Sequence, residues 1–172
     1  AAHGYMLLGK FLSPVHNIRD DAYGAQNIEN RTRLLVRVLR RIKEVAGRDF
    51  PITLRISGFE RLPGGRASTD TARIAPLLVE AGVDAFHVSG GTSDRTVSEI
   101  VCGHEWPDGY NVPQAEALKR AVDVPVMVVG RIHDPEKAER ILQAEKADLI
   151  VMARPLLADP ELPDKAALRR FD

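Results

Sequence analysis

The chain has 172 residues, 44% of them hydrophobic, and its 24 Lys and Arg balance 24 Asp and Glu to give no formal net charge. That is enough for one ordinary domain with a buried core, and it excludes a bulk field that would recruit nucleic acid or an anionic membrane. The single cysteine, Cys102, excludes an internal disulfide framework and a cysteine-rich metal site, and no apolar run approaches the roughly 18 residues of a membrane span.

In chain order, residues 30–47 carry Leu34, Leu35, Val38, Leu39, Ile42 and Val45 at three- and four-residue steps, which predicts an amphipathic helix closed by Gly47. A near-continuous apolar run follows at residues 51–57 (PITLRIS) and reads as a strand. Ser68-Thr69-Asp70 opens a second helix that Gly82 stops, and residues 83–89 (VDAFHVS) form the second strand. A third helix over residues 113–122 precedes the strand at residues 124–130 (VPVMVVG). Asp134-Pro135-Glu136, an N-cap with proline at the first helical position, opens the fourth helix, and residues 147–153 (ADLIVMA) form the last strand.

Runs without polar alternation imply strands covered on both faces, and the alternation of helix and strand predicts an α/β fold with a parallel sheet. The two long connections, residues 58–67 and 90–111, both leave the carboxyl end of a strand, where such folds carry function.

Two polar residues interrupt the strands. Arg55 requires either an ion-pair partner or the anionic or electron-rich edge of a ligand, because an unpaired buried guanidinium is costly. His87 is read either as a core histidine satisfied on one carbonyl or as a ligand contact. At the ends of the last two strands, Gly130-Arg131 and Ala153-Arg154 each place a small residue before an arginine. Adjacent parallel strands ending this way can bring backbone N–H groups and guanidinium forks to one phosphate, as at the corner after strands seven and eight of a (β/α)8 barrel. Trp106 and Tyr110 in the second long loop either cap the mouth or contact substrate. Asn17, Arg19, Asp20, Asp21, Glu29 and Arg31 read as an architectural network. The histidines show no metal-ligand spacing, so no metal site is expected.

His3-Gly4-Tyr5, Phe11-Leu12-Ser13-Pro14, residues 17–24 (NIRDDAYG) and Glu29-Asn30-Arg31, together with Gly130-Arg131 and Met152-Ala153-Arg154-Pro155, closely resemble the old yellow enzyme family of FMN-dependent NADH:flavin oxidoreductases. The ending Met-Ala-Arg-Pro-Leu-Leu-Ala-Asp is most similar to the branch of 2,4-dienoyl-CoA reductase, enoate reductases and trimethylamine dehydrogenase.

The resemblance implies that His3 is the second of a histidine pair binding the carbonyl of a small-molecule alkene substrate, its partner falling just before Ala1. It implies that Tyr5 donates a proton to the carbon opposite the hydride from flavin N5, that Arg55 faces the N1 and C2-carbonyl edge of the flavin, and that Gly130, Arg131, Ala153 and Arg154 hold the FMN phosphate. NAD(P)H would be the reductant. An FMN-dependent amine dehydrogenase of the same family is the alternative chemistry, and a non-catalytic half-barrel that binds phosphate or dimerises is the alternative of another class. Ala153 and Ala25 stand where many members have glycine, and Ser93 stands near where dienoyl-CoA reductases have histidine.

On the same ground, residues 1–172 are expected to be the C-terminal half of a TIM barrel, strands five to eight, while the single cysteine points to a reducing, cytoplasmic setting. The chain starts without methionine, as a fragment would. The first half of the barrel would be missing, and any 4Fe-4S cluster and FAD would belong to regions beyond Asp172. Such a fragment would be inactive, with exposed sheet edges or paired with another copy as a homo-oligomer.

Overall fold

The computed structural model describes residues 1–4, 6–92 and 97–170. Its elements run α1 (Leu7–Leu12), α2 (Ile28–Ala46), β1 (Thr53–Ser57), α3 (Ser68–Glu80), β2 (Ala85–Ser89), α4 (Val97–Ile100), α5 (Val112–Lys119), β3 (Val126–Val128), α6 (Pro135–Gln143), β4 (Leu149–Ile150), α7 (Arg154–Ala158) and α8 (Leu162–Ala167). The four predicted strands are present and shorter than the apolar runs that announce them. They form one parallel sheet in the unreversed order β1-β2-β3-β4, an α/β architecture.

Unreversed order has a direct consequence for packing. Crossovers of one hand that never change direction put every helix on the same side of the sheet. Leu54, Ile56, Phe86, Val88, Val126 and Val128 face that side and join Leu35 and Leu39 of α2, Ile74 and Leu78 of α3, Leu118 of α5 and Ile141 of α6 in one core. On the other face the register row Arg55, His87, Met127, Leu149 is half-buried to exposed among the described residues. The expectation of two covered faces is therefore corrected. On the face that the helices leave open, Met127 and Leu149 continue the apolar runs while Arg55 and His87 interrupt them.

Local signals set most helix ends. Asp134 caps α6, its carboxylate accepting from the Glu136 N–H at 2.8 Å, with Pro135 at the first turn as predicted. Helix α2 starts before the predicted Asn30, because the Asn27 side chain caps it by accepting from Asn30 N at 2.8 Å. Helix α3 begins at Ser68 with no side-chain cap. Asp70 turns instead to Arg31 on α2, 3.6 Å away.

Two aspartates anchor the amino ends of the strands by the same device. Asp84, just before β2, accepts from Ile52 N and from Lys43 Nζ, both at 2.7 Å. Asp148, just before β4, accepts from Val126 N at 2.8 Å and from Lys119 Nζ at 2.6 Å. Each ties one strand to the start of its neighbour and to the preceding helix. No described helix is long and apolar enough to cross a membrane.

Candidate functional site

The carboxyl ends of the strands gather the chemistry-bearing residues. Ala2 bridges to Ile56 at the outer edge of β1 and donates to Arg55 O at 2.8 Å, which brings the first residues alongside the sheet. Ser57, the last residue of β1, then organises His3. Its hydroxyl donates to Gly91 O at 2.7 Å, while Gly4 N donates to Oγ at 3.2 Å and His3 Nδ1 lies 3.0 Å from the same oxygen. Ser57 has one proton and commits it to Gly91, so Nδ1 carries the hydrogen and Nε2 is an acceptor. That Nε2 lies 3.5 Å from Arg55 Nη2.

Arg55 also reaches Ser89 Oγ at 3.4 Å, and its buried Nε has no partner among the described residues. Among the described residues no carboxylate pairs with it; burial lowers its pKa, which the Tyr110 phenol opposes. His87 stands opposite Arg55 in the β1–β2 register with its Nε2 also buried and unpartnered. Burial and then the Arg55 charge lower the pKa of His87 to about 4, and burial, Arg55 and His87 do the same to His3. A half-buried cation flanked by two neutral imidazoles can receive an electron-rich ring edge or stabilise charge that develops there. The sequence left Arg55 between an ion pair and a ligand contact, and no ion pair forms among the described residues. His87 finds no carbonyl for Nε2 among the described residues.

The second group lies after β3 and β4. Gly130, Arg131, Ala153 and Arg154 line one concavity of about 320 Å³ with Ile132, His133 and Pro155. Gly130 has φ 148°, and a Cβ there would sit 2.7 Å from the Tyr110 ring and 2.9 Å from Asn111 Nδ2. Among the described residues the backbone N–H groups of Gly130, Arg131 and Ala153 donate to no backbone carbonyl, and a phosphate oxygen is a fitting acceptor for them. The two arginines differ. Arg154 is exposed, its Nη2 3.8 Å from Cys102 Sγ. Arg131 is already engaged: Nε at 3.1 Å and Nη2 at 3.0 Å from Asp108 Oδ1, and Nη1 donating to Gly103 O at 2.9 Å. The guanidinium fork expected of Arg131 from sequence is turned onto the loop.

In that loop Trp106 and Tyr110 both pack on Arg61. The Arg61 guanidinium lies 5.2 Å from each of their ring centroids and 5.5 Å from that of Phe59, and donates to Tyr110 O at 3.0 Å. The aromatics clamp Arg61, joining the loop after β1 to the loop after β2. Burial and a hydrogen bond to Cys102 push the Tyr110 phenol above its ordinary pKa. Behind the first loop lies a pair that sequence reasoning missed. Glu60 and Arg66 are each 1% exposed and 3.7 Å apart, with Ser13 Oγ and Arg66 N both donating to Glu60 Oε2 at 2.8 Å. Ser13 belongs to the Phe-Leu-Ser-Pro motif, which therefore braces this loop. Of the expected architectural network, Arg19 pairs with Asp21, Arg31 with Asp70, and Asn17 donates to Phe11 O and Tyr23 O. Tyr5 and Ser93 lie outside the described residues.

The sequence profile of the NADH:flavin oxidoreductase / NADH oxidase family matches residues 1–172. An NADH oxidase of Thermoanaerobacter brockii is 42% identical over 165 residues, covering 96% of this chain and 25% of that protein. A cinnamate reductase of Clostridium sporogenes is 35% identical over 186 residues, covering all of this chain and 28% of that protein. The structure of histamine dehydrogenase from Rhizobium sp. 4-9 superposes with a TM-score of 0.86 at 28% identity, over 99% of this chain and 24% of that one. The chain thus spans about a quarter of the length of these relatives. With a profile match from the first residue to the last, the chain belongs to the NADH:flavin oxidoreductase / NADH oxidase family of oxidoreductases.

Proposed function

We propose that this chain carries the FMN-binding and part of the catalytic machinery of an NAD(P)H-dependent reductase of activated alkenes, of the enoate or enone type. Arg55 is the observation that carries the reading: a half-buried guanidinium that, among the described residues, has no carboxylate partner and an orphaned Nε fits the anionic edge of a reduced flavin. The bare N–H groups of Gly130, Arg131 and Ala153 beside Arg154 fit its phosphate. FMN, when bound, supplies hydride transfer between the nicotinamide nucleotide and the alkene. His3 binds the substrate carbonyl through Nε2–H, which requires Ser57 to turn its hydroxyl from Gly91 O onto Nδ1. Tyr5 donates the proton, a task suited to a weak, uncharged acid. The name of the cinnamate reductase relative supports an α,β-unsaturated substrate over the amine that the histamine dehydrogenase neighbour suggests.

In this reading the four strands are the fifth to eighth of a barrel, and the isolated 172 residues bind FMN without turning substrate over. The test is an FMN titration of the purified chain, followed by flavin fluorescence and absorbance. Saturable quenching that weakens at least tenfold in Arg55→Met is the expected result. A chain that stays colourless with excess FMN, or an Arg55→Met variant that binds equally well, favours a non-catalytic module.

A further inference from the structure

Arg131 occupies the left-handed region with φ 50°, a conformation disfavoured for residues with a Cβ. Four contacts from the loop before α5 hold it and its neighbours there. Asp108 and Gly103 O take the Arg131 guanidinium, Gly109 N donates to Gly130 O at 2.9 Å, and Asn111 Nδ2 donates to Val129 O at 2.8 Å. The outcome is a turn whose two N–H groups have no backbone acceptor among the described residues at the wall of the concavity, while the arginine side chain turns to Asp108 and Gly103.

We propose that Asp108 is a positioning residue for the phosphate: by fastening the Arg131 guanidinium it keeps the Gly130-Arg131 turn left-handed, with both backbone N–H groups free for the anion. This rests on the reading of the concavity as a phosphate site. The carboxylate repels no anion on balance, because Lys137 Nζ at 3.6 Å joins the Arg131 guanidinium beside it. Arg131 serves the site through its backbone, and its side chain is the strut.

Simple electrostatics and positioning predict opposite signs for one substitution. Removing a carboxylate near a phosphate should tighten binding if charge alone matters, whereas loss of the strut should weaken it. Asp108→Asn is expected to lower the affinity for both FMN and inorganic phosphate about tenfold, and to change the HN–Hα coupling of Arg131 in NMR spectra as φ leaves the left-handed region. In an Arg131→Gly background, where glycine takes the turn unaided, Asp108→Asn should cost nothing further. Unchanged or tighter binding in Asp108→Asn, an unchanged coupling, or an equal loss in the glycine background overturns the proposal. A native chain that binds inorganic phosphate but not FMN defeats the FMN reading and leaves the role of Asp108 measurable with phosphate. One that binds neither defeats both.

Discussion

Arg55 and His87 stand opposite one another in the β1–β2 register, and each keeps a buried ring or guanidine nitrogen without a partner among the described residues. With His3 Nε2 at 3.5 Å from Arg55, they make a polar island on the sheet face that the helices leave uncovered.

Both imidazoles in this island should titrate far below ordinary histidine. Burial, and then the Arg55 charge, hold His3 and His87 neutral down to about 4, whereas in the unfolded chain they take a proton near 6.5. Between those values the unfolded state binds more protons, so stability is full above pH 6.5 and falls as the pH drops towards 4. Denaturant unfolding at stepped pH should show this loss, reduced in His87→Gln. NMR titration of Arg55→Met should show both histidines shifted upward. Native histidines titrating at 6.5 would contradict the geometry.

Gly130→Ala tests the turn after β3. A methyl group there meets the Tyr110 ring at 2.7 Å on a backbone with φ 148°. Thermal or denaturant unfolding should register a loss of about 1–3 kcal/mol, and FMN titration a loss of binding. A variant of native stability would mean that Tyr110 moves aside freely.

Glu60→Ala removes the carboxylate 3.7 Å from the fully buried Arg66 guanidinium, whose side-chain hydrogen bond among the described residues goes to Thr71 Oγ1 at 2.5 Å. The expected cost is about 3–5 kcal/mol, because an uncompensated buried charge remains. The double variant Glu60→Leu, Arg66→Met should recover much of it. Chemical denaturation of the two variants gives the comparison directly.

Tyr5→Phe separates the proton donor from the hydride path. In the protein carrying this chain, alkene reduction should slow about 100-fold or more, with flavin reduction by NAD(P)H nearly unchanged. Stopped-flow traces in which both half-reactions slow equally would remove Tyr5 from this role.

Much of this was legible before any coordinates. The four strands, the helices between them and the Asp134-Pro135 cap follow from periodicity and capping, which act within a few residues. Helices α1, α4, α7 and α8 were not legible, because each has six residues or fewer and none repeats an apolar face often enough to register. The strand-anchoring pairs Lys43–Asp84 and Lys119–Asp148 join residues 41 and 29 positions apart, and nothing local marks either partner.

The sequence by itself determined the family, the parallel α/β order and the identity of residues that gather at the strand ends, because motifs and hydrophobic spacing are properties of the chain. Only the tertiary structure decided which groups are already satisfied. Arg131 and Arg154 read alike as phosphate ligands until Asp108, far off in sequence and beside it in space, takes one guanidinium and leaves the other exposed. Arg55 and His87 each carried two readings, and the packing around them supplies no partner for their orphaned nitrogens among the described residues. Charge and hydrogen-bonding capacity are written into the residue type, but whether that capacity is spent depends on what the fold brings within about 3 Å of it.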